Sequence, residues 1–210
     1  MITSLEAVAS AVAAGGVVAI PTDTVYGLAC NPGSAAAVER IYAIKRRPPG
    51  LELTLLAATI DDVEAAVVLD ATGRRLANEY WPGPLSIVAT ARRRGLAVPR
   101  AGTTLSTRIP NHPLLLELLR RTGPLASTSA NRHADPAATN AAEADATLGD
   151  EVAAVLDGGP AGGLASTIID CSRTPPRVLR EGPIAASELL ATAGASPSPG
   201  RLRTTRNDAE

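Results

Sequence analysis

Apolar residues recur along the chain at two spacings, one typical of helices and one typical of buried strands. The clearest helical case is segment 34–47, whose apolar positions share one side: Ala37, Val38, Ile41, Tyr42 and Ile44. Pro48 follows this segment, and a proline cannot continue a helix without losing a backbone hydrogen bond. The pattern therefore predicts a helix that ends before Pro48.

The same reading assigns the remaining elements. Further helices are predicted at 4–14, 60–69, 71–81, 112–123 and 140–149. Strands are predicted at 17–22, 51–58, 84–93, 103–110, 124–131, 152–159, 165–172 and 177–182. Strands follow strands at several steps, which favours an α/β domain with a twisted mixed sheet over a purely parallel one. Residues 195–210 lack a hydrophobic period and predict a disordered tail after a single domain at 1–194.

Composition changes this picture in two ways. Hydrophobic residues make up 45% of the chain, but there is no Phe, one Trp and three Tyr, so the core must consist of Ala, Val, Leu and Ile. The net charge is −1 and the pI is about 6.2, so no global basic field favours nucleic-acid binding. Any polyanion must therefore meet a local cationic patch.

The cysteines and the N-terminus bear on location. Cys30 and Cys171 lie far apart with no metal-binding spacing, and His112 and His133 do not complete a zinc motif with them. The first residues lack a basic region before the apolar stretch and predict a helix, not a signal peptide. No uncharged apolar run reaches the roughly 18 residues that a membrane span needs. These features predict a cytoplasmic protein without a membrane partner and without a bound metal of its own.

Common nucleotide and hydrolase motifs are absent, including GxxxxGK[ST], GxGxxG, GxSxG and HExxH. Hydroxylic and cationic stretches remain at predicted strand ends: 21–30, 45–47, 103–108, 126–131, 158–170 and 178–182. Each could be a helix cap, a turn or a hairpin loop. Together they favour an anion site, since hydroxyls donate to phosphate or carboxylate and Arg47, Arg108 and Arg180 would add bidentate contacts.

These stretches, in their order and spacing, resemble a known family. GGVVAIPTDTVYGLAC, IYAIKRRP, WPGPLSIV, TRIPNHP, STSAN, DGGPAGGLASTIID and VLREGPI are similar to the YrdC/YciO superfamily, whose members include threonylcarbamoyl-AMP synthases. The similarity covers residues 10 to about 190. It implies a YrdC-like fold, a twisted mixed sheet flanked by helices with a concave cationic ligand face.

The resemblance also implies a reaction and its participants. L-threonine and bicarbonate give an N-carboxy-threonine whose carbamate oxygen attacks the α-phosphorus of ATP, and pyrophosphate leaves. Mg²⁺ would accompany ATP. The threonylcarbamoyl-AMP would pass to a downstream transferase that modifies tRNA adenosine. Such a transfer needs alignment and charge neutralisation and no side-chain nucleophile.

The resemblance implies site residues in three groups. Lys45 and Arg47 would be catalytic and face the ATP phosphates and the nascent carbamate. Further ATP contacts would come from Thr104, Ser129, Asn131 and Arg180. The threonine would be held by Thr24, Arg108, Ser127, Ser166 and Thr167.

Several positions depart from the family pattern. Leu51, Glu52 and Leu53 stand where the family usually has Lys-Pro-Leu, and Leu56 stands where many synthases have His. The Arg132-His133-Ala134 run replaces a small hydroxyl and a glycine, and Ala137 replaces a common Ser. Arg46 or Arg132 is a hypothetical source of the missing charge. Losing one desolvated charge-assisted contact costs about 1.5–3 kcal/mol.

Two alternatives follow from these departures. One is a YciO-like paralogue that adenylates a different carbamate or carbamoyl donor. The other is an RNA- or nucleotide-binding protein without synthase turnover, although scarce aromatic residues leave few stacking platforms for single-stranded RNA.

Overall fold

The computed structural model describes residues 2–46, 53–92, 96, 103–132 and 135–194. Its strands are β1 (Ile2–Thr3), β2 (Val18–Ile20), β3 (Gly27–Cys30), β4 (Thr54–Leu56), β5 (Val67–Val68), β6 (Leu85–Ala91), β7 (Thr104–Arg108), β8 (Leu125–Ser129), β9 (Ala154–Leu156), β10 (Thr167–Asp170) and β11 (Arg177–Arg180). Its helices are α1 (Leu5–Ala13), α2 (Ala35–Lys45), α3 (Ile60–Ala66), α4 (Ala71–Tyr80), α5 (Pro113–Thr122), α6 (Ala141–Leu148) and α7 (Ala186–Ala193).

The described strands form one sheet in the order β1-β9-β2-β3-β8-β4-β7-β6-β10-β11, with β5 paired to β6. Parallel pairing joins β9 to β1 and β2, β4 to β7, and β6 to β10. The other pairs are antiparallel. The predicted α/β fold with a mixed sheet is confirmed.

Helix α2 shows how local sequence fixes an element next to the site. Ser34 precedes it, and the Ser34 hydroxyl accepts the backbone N–H of Ala37 at 3.3 Å, which satisfies one of the free N–H groups of the first turn. The helix ends at Lys45, and Arg46 takes a left-handed conformation with φ 49°. The helix predicted at 34–47 is confirmed over its described residues; Pro48, its predicted stop, lies outside them.

Two apolar cores lie on the two sides of the sheet. The larger one joins alternate strand residues such as Leu28, Leu55 and Ile87 to helices α2, α3, α4, α6 and α7. The smaller one joins Val18 and Leu125 to α1 and α5. Helices α1 and α5 cover only part of their face, and a cavity occupies the next part of the same face.

Some predicted boundaries were wrong for identifiable reasons. The helix predicted at 60–69 ends at Ala66, because the β-branched pair Val67 and Val68 forms a strand against β6. Strands β1 and β3 and helix α7 were not predicted. The predicted strands at 152–159 and 165–172 shrink to three and four residues. The predicted tail at 195–210 lies outside the described residues.

Candidate active site

An open cavity of about 310 Å³ lies on one face of the sheet. Its wall is mostly hydroxylic and cationic, with a few apolar side chains. The hydroxyl groups belong to Thr22, Thr24, Tyr26, Thr54, Ser86, Ser127, Thr128, Ser129 and Ser166, and the cations are Lys45, Arg108 and Arg180. Val25, Leu56, Ala165 and Ile168 supply apolar surface, and Gly27 and Asn131 complete the wall.

Strand register explains how residues far apart in sequence meet here. Gly27 on β3 lies opposite Ser129 on β8, and Ser127 lies opposite Thr54 on β4. Leu56 lies opposite Arg108 on β7. At the other end of the cavity, Ile168 on β10 lies between Ser86 and Arg180. The cavity therefore crosses the width of the sheet from β3 to β11.

The sequence interpretation placed the chemistry at strand ends, and Arg108, Ser129 and Arg180 are the last residues of β7, β8 and β11, whereas Ser127 lies inside β8. Ser127 and Ser129, like Thr54 and Leu56, are two residues apart and thus share one face of the sheet. Thr107, which neighbours Arg108 on β7, lies on the opposite face of the sheet and is fully buried. Its hydroxyl donates to Ile87 O at 3.1 Å. The cavity is therefore built on a sheet face that is polar at alternate positions.

Arg108 is a buried cation of the cavity wall, with 5% of its surface exposed. Its Nε donates to Gly83 O at 2.9 Å, Nη1 donates to Thr24 Oγ1 at 2.9 Å, and Nη2 meets Asp23 Oδ1 at 2.6 Å. Burial lowers the pKa of the Arg108 guanidinium, while the charge of Asp23 and its hydrogen bond act in the opposite direction. The side chain is thus fixed in one orientation, with N–H groups still available for an anion.

Arg180 lines the same cavity. Its Nε donates to Ser166 O at 3.0 Å and Nη2 to Ser166 Oγ at 3.1 Å, and Ser166 Oγ lies 3.0 Å from Ser86 Oγ. Burial lowers the pKa of Arg180, and the positive charge of Arg108 lowers it further. Among the described residues, the wall carries three cations, Lys45, Arg108 and Arg180, and no carboxylate; Asp23 contacts one of them, Arg108, so the cavity favours an anionic ligand.

Lys45 holds the loop that follows β8. Its ammonium group donates to Ser129 O at 2.6 Å, Asn131 Oδ1 at 2.7 Å and Asn131 O at 2.9 Å. The Ser129 hydroxyl donates to Asn131 Oδ1 at 2.6 Å. Lys45, Ser129 and Asn131, each predicted separately to face the nucleotide, therefore lie together, and the lysine charge orders the loop that carries the other two residues.

Glycines allow the close approaches around the cavity. A Cβ on Gly27 would lie 2.8 Å from Ser127 Oγ, so a larger residue would displace that hydroxyl. A Cβ on Gly182 would lie 2.1 Å from Ala165 O, next to Ser166. The glycine-rich turn after β9 is anchored by Tyr26, whose hydroxyl donates to Gly159 O at 2.9 Å.

The structure brings most of the predicted site residues together. Those that line the cavity are Thr24, Lys45, Arg108, Ser127, Ser129, Asn131, Ser166 and Arg180. Thr167 does not line it: its hydroxyl is buried and donates to Ile184 O at 2.9 Å. Thr104 begins β7 and also lies outside the cavity wall. Arg47, Leu51, Glu52 and His133 lie outside the described residues.

Sequence reasoning missed five hydroxyl-bearing residues of the wall, Thr22, Tyr26, Thr54, Ser86 and Thr128. Two of them, Thr54 and Ser86, could have been found from the alternation of polar and apolar residues, because each is flanked by apolar residues on a predicted strand. Arg132, the hypothetical replacement cation, instead pairs with Glu151 at 2.7 Å and donates to Ile44 O at 3.4 Å.

Cys30, Cys171 and His112 are not among the described residues of the cavity wall. Burial raises the pKa of Cys30 and of Cys171 to about 12. His112 caps α5 and contacts Gly158 O at 3.3 Å. Among the described residues no three metal-ligating side chains cluster. In the same part of the chain, no helix combines the length and the apolar character that a membrane crossing requires.

Comparison with known proteins fits this geometry. The family model Sua5_yciO_yrdC, described as telomere recombination, matches residues 10–182. The chain belongs to the Sua5/YciO/YrdC family. Within that family, the threonylcarbamoyl-AMP synthase of Chromohalobacter salexigens is 40% identical over 173 residues, which are 79% of this chain and 92% of that protein.

Solved members of the Sua5/YciO/YrdC family share the fold. Pyrococcus abyssi Sua5 complexed with L-threonine is similar with a TM-score of 0.84 and 31% identity, over 90% of this chain and 57% of that one. The chain thus spans little more than half of the Pyrococcus protein. Escherichia coli YciO gives a TM-score of 0.80 and 28% identity, over 89% of this chain and 92% of that one.

Proposed function

We propose that this protein is a threonylcarbamoyl-AMP synthase that uses L-threonine, bicarbonate and ATP. The observation that carries the proposal is the cavity itself, a hydroxyl-lined sheet face with Arg108 and Arg180 at one side and Lys45 with the 129–131 loop at the other. Support comes from the synthase of Chromohalobacter salexigens and from the Pyrococcus Sua5 complex with L-threonine.

The chemistry requires alignment and charge neutralisation. The threonine amine forms a carbamate with the carbon of bicarbonate, or of CO₂ formed from it, and one water is released overall; the carbamate oxygen then attacks the α-phosphorus of ATP. The bond to the β-phosphate oxygen breaks and pyrophosphate leaves. Buried guanidinium and ammonium groups stabilise the negative charge that moves across the phosphate chain. We assign the threonine carboxylate to Arg108, and the nucleotide to Arg180, Ser129 and Asn131.

Mg²⁺ enters this proposal with the nucleotide. In the proposal the ion is coordinated mainly by phosphate oxygens of the nucleotide. We further propose that the protein acts in the cytoplasm and passes its product to a transferase that modifies tRNA; the unpaired, buried state of Cys30 and Cys171 supports a reducing compartment.

The test is pyrophosphate release. The protein is incubated with ATP, Mg²⁺, bicarbonate and a single amine, and pyrophosphate is followed over time. Release that depends on L-threonine supports the synthase. Release that needs another amine or carbamoyl donor indicates the YciO-like alternative, which the likeness to Escherichia coli YciO favours. Absence of release, together with salt-sensitive RNA binding, indicates the binding protein.

A further inference from the structure

Lys45 is the only lysine in the chain. It is the last residue of α2 and is 3% exposed, although it lines the open cavity. Its ammonium group has three N–H donors and no acceptor. Three protein oxygens lie within reach of Nζ: Ser129 O at 2.6 Å, Asn131 Oδ1 at 2.7 Å and Asn131 O at 2.9 Å. These oxygens can take all three protons, so the ammonium has no proton left for a ligand while these bonds hold.

The loop 129–131 closes around this ammonium group through bonds of its own. An ammonium cannot accept, so the atom of the Asn131 amide that faces Nζ is the oxygen. The Ser129 hydroxyl donates to the same oxygen at 2.6 Å, and Asn131 Nδ2 donates to Asp135 O. The Ala130 N–H donates to Tyr26 O at 2.7 Å. All three acceptors of Lys45 therefore belong to one hydrogen-bonded loop.

We infer that Lys45 is a positioning residue, which holds the loop 129–131 in place and makes no hydrogen bond to a phosphate oxygen of the nucleotide. This inference rests on the proposed function, which assigns the nucleotide to Ser129 and Asn131. A phosphate contact would have to replace bonds to loop oxygens at a site with 3% exposure, and an oxygen that loses its donor there is costly.

Arg180 shows the contrast with a cation that can still bind an anion. Its guanidinium has five N–H groups, and its bonds to Ser166 O and Ser166 Oγ use two of them. Arg180 can therefore keep its protein contacts and donate to a phosphate oxygen at the same time. Lys45 cannot do both, because a compact ammonium has only three donors.

Because the chain has a single lysine, its ammonium group can be observed directly. The full chain is labelled with [ζ-¹⁵N]lysine, and the one side-chain signal is followed by NMR. We expect the signal to be visible without nucleotide, since the three bonds slow proton exchange with water. Saturating ATP with Mg²⁺ should leave its proton and nitrogen shifts nearly unchanged. A signal that is missing in the free protein, or that moves far when ATP binds, would overturn the inference.

A second experiment measures what the lysine does for the loop. Lys45→Met removes all three donors, so the amides of 129–131 should exchange with deuterium faster and ATP should bind at least about tenfold more weakly by calorimetry. L-threonine affinity should stay within about twofold, because Arg108 bonds to Gly83, Thr24 and Asp23 and not to this loop. Arg40→Gln removes an exposed cation from the same helix and should leave ATP binding unchanged.

The other outcomes separate positioning from general loosening and from the proposed function. Wild-type ATP affinity in Lys45→Met would overturn the inference, and so would an equal weakening of ATP and L-threonine. If Lys45→Met does not fold, the ammonium signal of the wild type still decides. A wild type that binds ATP and L-threonine while its ammonium signal moves far overturns only the inference. A wild type that binds no ATP overturns the proposed function as well.

Discussion

The ion pair between Asp23 and Arg108 makes stability depend on one carboxylate at the cavity. Nη2 and Oδ1 lie 2.6 Å apart, and the two side chains are 6% and 15% exposed. Removing one partner of a buried pair costs about 3–5 kcal/mol, because the other charge stays buried without compensation. The nearby charge of Arg180 adds to this cost, whereas the bonds from Arg108 to Gly83 O and Thr24 remain. We expect Asp23→Asn to lower the free energy of unfolding by about 3 kcal/mol.

A double-mutant cycle measures whether this loss comes from the pair. Urea unfolding is followed for the wild type, Asp23→Asn, Arg108→Gln and the double variant. In the Arg108→Gln background, Asp23→Asn should lower the free energy of unfolding much less than in the wild type. The coupling energy between the two substitutions should be about 2 kcal/mol. Glu6→Gln, which removes an exposed partner of Arg121, is the matched surface control and should leave the unfolding midpoint unchanged. Additive single effects, within about 0.5 kcal/mol, would refute the reasoning.

Four further results are expected. Arg108→Lys keeps a charge but loses the planar fork, so the threonine concentration for half-maximal rate should rise far more than that of ATP; equal increases would contradict the assignment. Gly27→Ala should cut turnover roughly tenfold or more with an unchanged circular dichroism spectrum, because its Cβ meets Ser127 Oγ at 2.8 Å; normal turnover would show that this hydroxyl is dispensable. Burial raises the pKa of Cys30 and Cys171 to about 12, so both thiols should resist iodoacetamide at pH 8 until urea is added. For the same reason, the folded state binds more protons than the unfolded state between about pH 9 and 12, and stability should fall as pH rises through that window, which alkaline urea titrations would reveal.

The helices were the most predictable elements because their signals are local. The apolar spacing of 34–47, and Pro113 and Gly123 at the two ends of α5, are visible in the sequence and correspond to helices in the structure. Strand β3 was missed because Gly27 and a short apolar run look like a loop until β2 and β8 pair with it. Pairing with strands that are distant in sequence determines whether such a short segment forms a strand, and the local sequence gives no sign of that pairing.

The sequence predicted which residues belong to the site better than it predicted how those residues are arranged. Motif resemblance identified eight residues of the wall, but it also included Thr167, whose hydroxyl holds the backbone of Gly182 and Ile184. Neighbouring positions on a strand face opposite sides, so Ser166 can reach the cavity while Thr167 is buried.

The most direct test of the proposed function is the mass of the product. The protein is supplied with ATP, Mg²⁺, ¹³C-bicarbonate and L-threonine, and the nucleotides are separated and weighed. The proposal predicts an AMP adduct that contains one threonine and one labelled carbon, formed in step with pyrophosphate and lost when threonine is omitted. Pyrophosphate release without a labelled threonine adduct, or no nucleotide product at all, would contradict it.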